Sequence, residues 1–162
     1  INFDNNVTYN TYSSYLGIRH TTPDNILLLD GDIVYKDKLL KKIIESKFEN
    51  FVVAKLAKSR KEIGLRIIKN SGDNELINIG KNFIDIKFPW YIHSGIIKIG
   101  FNSFNQFFKE IRNSKYSHEE IDAPLRQFIK KEKMFLLTES LNDWVNVNTI
   151  KELEYAMKLF RK

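Results

Sequence analysis

The sequence predicts a three-layer α/β domain whose middle part is antiparallel. Short runs rich in Ile, Val and Leu, typical of strands, alternate with segments of helical period. One such run is apolar throughout, and a turn signal separates two others. We predict strands at 26–30, 51–56, 65–69, 76–79, 91–99, 134–138 and 144–147. Alternation of the two kinds of element favours a sheet flanked by helices.

Three segments have the helical period: 38–47, 101–112 and 150–160. Each collects its apolar residues on one face, as expected of helices that pack against a sheet. The last of them groups Leu153, Ala156, Met157 and Phe160. Residues 117–120 and 149–152 fit the capping box, which predicts helix starts there.

The run at 26–29 is Ile-Leu-Leu-Leu, with no alternation. We expect a strand covered on both faces, as in a parallel sheet between helical layers. The sequence Asn-Ser-Gly-Asp at 70–73 is a turn signal between two strands. It predicts an antiparallel hairpin over 65–79.

Composition limits the class of protein. With 162 residues and 43% hydrophobic content, one domain over 1–162 is expected. There is no cysteine, which excludes disulfides, thiolate catalysis and cysteine-bound zinc. No apolar run approaches the ~18 residues of a membrane span, and the start has no signal-peptide pattern, so we expect a cytoplasmic protein.

The formal net charge is +6, spread without an arginine-rich block. Such a surplus suits a pocket for phosphorylated ligands or plain solvation, and a nucleic-acid partner is not expected. The sequence leaves open whether the chain forms a homo-oligomer.

The most informative segment is Asp30-Gly31-Asp32, which follows the apolar run. Ligands of open α/β sheets bind outside the carboxyl ends of strands, and two acids there can hold a divalent cation that grips phosphate oxygens. Gly31 permits close approach of the backbone or a ligand. A plain surface turn is the alternative reading.

A second segment runs from a short strand into the predicted helix at 150–160. Asn148 precedes the capping residue Thr149, and its amide oxygen is an acceptable magnesium ligand on the same edge as Asp30. From the residues alone, the simpler reading is that Asn148 and Thr149 shape and cap the helix start.

These two segments resemble motifs of the sugar-phosphate and choline-phosphate nucleotidyltransferases. Leu-Leu-Leu-Asp-Gly-Asp-Ile-Val-Tyr looks like their metal strand, and Trp-Val-Asn-Val-Asn-Thr-Ile-Lys-Glu-Leu is similar to their closing motif W-x-E-I-D-T-x-E-D-L. The resemblance implies a Rossmann-like, GT-A-like fold with a mixed sheet. It also implies one catalytic Mg²⁺ on Asp30 and Asn148, with Asp32 nearby; Asn148 stands where Asp is usual.

Three further stretches agree with this family in order along the chain. Residues 9–15 resemble its T-N-N-x-x-S-L segment, 77–81 its I-x-x-I-x-K strand end and 90–96 its W-x-x-S-G-I/V strand. The resemblance implies nucleotide contacts at Asn10, Ser14 and Gly31, and acceptor contacts at Lys81, Trp90, Ser94, Gly95 and Trp144, with Lys81 on the acceptor phosphate. Each also has a structural reading: helix cap, solvated charge or packing.

The aromatic residues Trp90, Tyr91 and Trp144 could hold a cationic choline-like headgroup. Core or rim packing is the alternative for all three. His93 could line the same pocket, although an isolated histidine is more often structural.

Family members begin with a glycine-rich loop, G-x-G-T-R, which nothing here matches. The resemblance therefore implies a domain incomplete at its N-terminus and inactive as this fragment alone. It implies transfer of a nucleoside monophosphate from a nucleoside triphosphate, CTP favoured, to a phosphocholine-like or sugar 1-phosphate acceptor, with release of pyrophosphate. The alternatives are a glycosyltransferase of GT-A architecture that uses a nucleotide-sugar, and a catalytically inactive truncated relative.

Overall fold

The structure is a computed structural model that describes residues 10–58, 66–70, 72–81, 89–113, 119–138 and 143–160. The helices are Asn10–Ile18 (α1), Asp37–Ile44 (α2), Phe104–Arg112 (α3), Asp122–Phe128 (α4) and Ile150–Phe160 (α5). The strands are Ile26–Leu29 (β1), Ile33–Tyr35 (β2), Phe51–Leu56 (β3), Arg66–Lys69 (β4), Leu76–Gly80 (β5), Tyr91–Ile99 (β6), Phe135–Thr138 (β7) and Trp144–Asn146 (β8).

Six strands form a mixed sheet in the order β5-β4-β6-β3-β7, and β1 is a further partner of β6. The pair β3–β7 is parallel, whereas the other pairs are antiparallel. Strands β2 and β8 form a separate antiparallel ribbon. The predicted hairpin is confirmed as β4–β5. The sheet therefore combines parallel and antiparallel strand pairs, which agrees with the predicted mixed sheet.

Helices cover both faces of this sheet. On one face, Phe107 of α3 and Leu125 of α4 pack with sheet residues such as Ile97. On the other face, Leu39 and Ile43 of α2 pack against β3, β6 and β7. The amphipathic pattern of α2 and α3 therefore places their apolar faces against the sheet, and the three-layer α/β/α architecture is confirmed.

Strand β6 has two different partners along one edge. Residues 96–99 pair with β1, whereas Tyr91 and Ile92 pair with β4. Between these pairings Gly95 takes the left-handed φ of 79°, and the register between β3 and β6 shifts. The sheet therefore forks at Gly95, the point where β1 ends and Asp30 follows.

The expectation that 26–29 is covered on both faces is wrong. Strand β1 is only half-buried, Leu29 is 42% exposed, and the pairing with β6 is antiparallel. A uniform apolar run cannot distinguish a central strand from one whose second side is open.

Other elements differ from the predictions. Helix α1 and strand β2 were not predicted. Helix α4 begins at Asp122, where the sequence indicates a helix-start acid near Pro124, whereas the expected cap at Ser117 lies outside the described residues. The apolar face predicted for α5 is largely open: Ala156 is buried, but Leu153 and Met157 are exposed. None of the described helices is long and apolar enough to cross a membrane.

Candidate active site

A cleft of about 720 Å³ lies at the fork of the sheet. Its walls come from the carboxyl end of β1, from the middle of β6 and from the segment between β8 and α5. Seven of the residues predicted for a site line it: Asn10, Asp30, Asp32, Lys81, Gly95, Trp144 and Asn148. Segments far apart in the sequence thus meet in one depression.

Asp30 is held at the fork by its backbone and its side chain. Its N–H donates to the Gly95 carbonyl over 3.0 Å. Its carboxylate fills the space beside Gly95, since a Cβ there would lie 2.3 Å from Asp30 Oδ2 and 2.8 Å from Ile33 Cδ1. Gly95 therefore makes room for the Asp30 carboxylate, whereas the resemblance implied that it contacts the acceptor.

The surroundings of Asp30 disfavour its negative charge. Partial burial, followed by repulsion from Asp32 and Glu120, raises the pKa of the Asp30 carboxyl from 3.8 to about 6. A bound cation would relieve this repulsion, so the donor chemistry fits a divalent ion.

The β2–β8 ribbon brings Asn148, the third predicted metal ligand, close to Asp32. Ile33 pairs with Asn146, and the Val147 N–H donates to the Asp32 carbonyl over 2.7 Å. Asn148 follows directly and lines the same cleft as Asp32. Within the described ranges, no three His, Cys, Asp or Glu side chains are grouped to hold a metal. A Mg²⁺ ion commonly uses one or two carboxylates together with substrate phosphates.

The start of α5 fixes the backbone at Asn148. Glu152 N–H donates to Thr149 Oγ1 over 3.2 Å, and the Glu152 carboxylate accepts from Asn148 N–H over 2.9 Å and from the Thr149 hydroxyl over 3.0 Å. The predicted capping box at 149–152 is confirmed, with Asn148 N–H as the backbone donor to the carboxylate.

Lys81 follows β5 and makes an ion pair with Glu120, across the cleft lining. Just over half of its side chain is exposed, so the ammonium can exchange this partner for a ligand anion. Lys55 and Lys58 bring two further ammonium groups to the same cleft. The cleft therefore has an acidic pair at the fork and basic groups around it.

A smaller groove of about 400 Å³ adjoins the cleft through Asp30 and Gly95. Ser14 and Gly31 line it, and Asn10 lines both depressions. Ser14 Oγ donates to the Asn10 carbonyl over 2.9 Å, and Asn10 Oδ1 accepts from Ile121 N–H over 2.7 Å. These contacts show the structural roles of both residues; their nucleotide roles stay predictions.

Two predicted acceptor residues lie outside the cleft lining. Ser94 is fully buried, and its hydroxyl donates to the Val53 carbonyl over 2.9 Å. Trp90 is buried beside Ala57 and Ile92, with the Arg66 guanidinium 4.3 Å from its ring centre. In this structure both side chains support the wall behind the cleft.

Several lining residues were not among the predicted site residues, including Lys55, Lys58, Glu120, Asn146 and Tyr155. His93, for which the sequence allows either a pocket or a structural role, lines the cleft as well. His93 and Asn146 lie inside the quoted stretches at 90–96 and 144–153, but the resemblance assigns no role to either. The other four residues lie in none of the stretches that carry the resemblance. Only the alternation along β3 and β6 could have placed Lys55 or His93 on a particular face of the sheet.

No protein-family model and no curated protein matches the sequence. Solved structures do match, and the fold is that of nucleotidyltransferases. A Bacillus anthracis protein assigned as a glucose-1-phosphate thymidylyltransferase is 18% identical with a TM-score of 0.71, over 98% of this chain and 63% of that one.

Two further neighbours have the same fold. The inositol-1-phosphate CTP transferase of T. maritima is 17% identical with a TM-score of 0.65, over 94% of this chain and 62% of that one. The CTP:phosphocholine cytidylyltransferase of Streptococcus pneumoniae is 12% identical with a TM-score of 0.71, over 99% of this chain and 67% of that one. This chain thus spans less than two thirds of the first two proteins.

Proposed function

We propose that the chain is the larger part of a nucleotidyltransferase domain that joins a nucleoside monophosphate to a phosphorylated small molecule and releases pyrophosphate. One observation carries the proposal. The fork of a nucleotidyltransferase-like sheet brings Asp30, Asp32, Asn148 and Lys81 into one cleft. Acidic and amide oxygens for a cation, together with ammonium groups for phosphate, are what phosphoryl chemistry needs.

The roles follow from position. Asp30, Asp32 and Asn148 would hold Mg²⁺, which when bound neutralises charge on the reacting phosphates. Lys81 would bind the acceptor phosphate and orient one of its oxygens towards the α-phosphorus of the nucleotide. Bond formation there expels pyrophosphate without a covalent enzyme intermediate, and alignment supplies much of the rate enhancement.

The nucleotide is proposed to lie across the smaller groove, where Asn10, Ser14 and Gly31 surround an open space. A Cβ at Gly31 would meet nothing within 4 Å, so a ligand can approach the backbone there. CTP is favoured, because two of the three structural neighbours described above carry CTP in their names. The acceptor is phosphocholine-like or a sugar 1-phosphate.

The deciding experiment measures Mg²⁺-dependent pyrophosphate release by the parent polypeptide with four nucleoside triphosphates and a panel of phospho-acceptors. Release with one pair supports the proposal and identifies both substrates. The fragment over 1–162 should release little, since no segment matches the glycine-rich loop.

Folded protein that releases no pyrophosphate with any pair would contradict the proposal. Formation of a nucleoside diphosphate from a nucleotide-sugar would instead identify a glycosyltransferase. If the protein neither reacts nor binds nucleotide with Mg²⁺, it is an inactive relative.

A further inference from the structure

Three residues of the cleft lining each have a buried polar atom with no hydrogen-bond partner within the described part of the chain. The atoms are His93 Nε2, Trp144 Nε1 and Asn146 Oδ1. Buried polar atoms in folded proteins are nearly always paired, because an unpaired one loses its hydration without compensation. Three unpaired atoms around one cleft therefore indicate a ligand that completes them.

These atoms offer both hydrogen-bond donors and acceptors. The Trp144 indole N–H only donates, whereas the Asn146 amide oxygen only accepts. Burial lowers the pKa of His93 to about 4, so its ring is neutral near pH 7. A hydrogen bond to the Ile96 backbone opposes this shift more weakly, as donation from a ring N–H to a carbonyl would. With that ring N–H engaged, Nε2 is an acceptor. Hydroxyl groups, which donate and accept, suit this mixture.

The three aromatic residues that could hold a cationic headgroup, Trp90, Tyr91 and Trp144, already contact cationic side chains of the protein. Lys55 Nζ lies 4.9 Å from the ring centre of Trp144, and Arg66 Cζ lies 4.3 Å from that of Trp90. Lys69 Nζ lies 5.9 Å from the Tyr91 ring centre. Of these three aromatic residues, only Trp144 lines the cleft. A quaternary ammonium there would lie close to Lys55 and be repelled by it.

We propose that the acceptor is a phosphorylated polyol, such as a sugar or cyclitol phosphate, whose hydroxyls bond His93, Trp144 and Asn146. A phosphorylated amino alcohol is disfavoured by Lys55. This inference rests on the proposed function, since it identifies the acceptor of the same cleft. His93, Trp144 and Asn146 then determine acceptor specificity and leave the reacting phosphates to other residues.

The test measures binding and turnover separately with the parent polypeptide. Calorimetry in Mg²⁺ with a non-hydrolysable nucleotide compares glucose 1-phosphate, inositol 1-phosphate and phosphocholine. We expect at least one polyol phosphate to bind more than 10-fold tighter than phosphocholine. Tighter binding of phosphocholine would overturn the inference, even if pyrophosphate release upheld the proposed function. Selective binding of a polyol phosphate without release would uphold the inference and contradict the function.

Variants assign the effect to the residues. Trp144→Phe keeps an aromatic ring but removes the N–H, and it should weaken polyol phosphate binding about 3- to 10-fold while leaving phosphocholine binding unchanged. His93→Leu should act similarly, with part of the binding restored in His93→Gln. Equal loss for both acceptors, or no rescue by glutamine, would mean that these side chains only support the fold.

Removal of the Lys55 charge provides the opposite test. Lys55→Met should improve phosphocholine binding relative to polyol phosphate binding. Lys98→Met is the matched control, because Lys98 lies 5.5 Å from the ring centre of Phe51 and does not line the cleft. An identical response of the two variants would contradict the role given to Lys55.

Discussion

Two regions of the molecule bury polar side chains, and they differ in how those side chains are paired. At the start of β3, Asn50 Nδ2 donates to Ser103 Oγ over 2.9 Å and to the Lys133 carbonyl over 3.0 Å. Its Oδ1 accepts from Gly100 N–H over 2.9 Å. At the fork, by contrast, His93, Trp144 and Asn146 each have a buried atom without a partner in the described ranges.

The difference separates polar groups that hold the fold from those that await a ligand. The Asn50 cluster joins the segments around residues 50, 103 and 133, and its pairing within the protein recovers the cost of burial. In the cleft the burial of these polar atoms is not compensated, and Asp30 is also repelled by Asp32 and Glu120. Binding sites commonly sacrifice stability in this way, so substitutions should affect stability in the first region and activity in the second.

The largest expected effect is on turnover at Asp30. Asp30→Asn should lower pyrophosphate release by roughly 10²- to 10³-fold, because the charge proposed to hold the cation is lost. The fold should be retained, since repulsion from Asp32 and Glu120 disappears as well. Asp24→Asn, at an exposed residue outside both depressions, is the control. Unimpaired release by Asp30→Asn would refute the metal assignment.

The next effect is on stability at Asn50. Asn50→Ala should reduce the free energy of unfolding by roughly 2–4 kcal/mol, because three hydrogen bonds are lost and two backbone groups are left without their partner. Urea denaturation measures this, and the Michaelis constants of the folded fraction should not change. A large change in the acceptor constant would show that the two regions are coupled.

Two titrations in the cleft act on stability with opposite signs. The pKa of Asp30 is raised from 3.8 to about 6. Protonation of Asp30 therefore stabilises the folded state below pH 4, and this contribution is lost as the pH rises through 6. The pKa of His93 is lowered from 6.5 to about 4. The neutral ring therefore stabilises the folded state above pH 6.5, and this contribution is lost as the pH falls towards 4.

Single variants should separate these slopes. Between pH 6.5 and 4 in chelator, Asp30→Asn should lose stability on acidification faster than wild type does. His93→Gln should lose it more slowly. Urea denaturation at closely spaced pH values gives the comparison. Parallel curves for all three proteins would show that neither group is perturbed by its surroundings.

The smallest expected effect is on stability at Asn146. Asn146→Leu replaces an amide whose oxygen is unpaired by an apolar group of similar size, so the free energy of unfolding should change by less than about 1 kcal/mol. Thermal denaturation of Asn146→Leu and Asn50→Ala under the same conditions compares the two losses of stability directly. A loss as large as that of Asn50→Ala would mean that the Asn146 side chain is paired in solution.

Most of the fold was predictable because its elements have strong local signals. The apolar runs at 51–56 and 91–99 predicted the bounds of β3 and β6, and the turn signal at 70–73 predicted the β4–β5 hairpin. Helix α1 was missed because its sequence, NTYSSYLGI, has a weak apolar period and buries only Thr11 and Ile18. Strand β2 is three residues long, and it is ordered by pairing with β8 more than by its own propensity.

The candidate site was predictable only where motifs have a fixed order. Asp30, Asp32 and Asn148 were found in this way. Lys55, His93 and Asn146 were not, because Lys55 lies in no motif and the resemblance assigns no role to His93 or Asn146 within theirs. Their convergence depends on which strands are neighbours, and a single sequence does not specify that.

The sequence by itself determined the alternation of strands and helices, the α/β class and the acid pair after β1, since these follow from local periodicity and residue chemistry. Tertiary structure alone decided that β1 and β4 share one edge of β6, and that a left-handed Gly95 opens the fork between them. The physical reason is that strand pairing depends on contacts between residues distant in sequence. Those contacts placed Asp30, His93 and Asn146 around the same cleft.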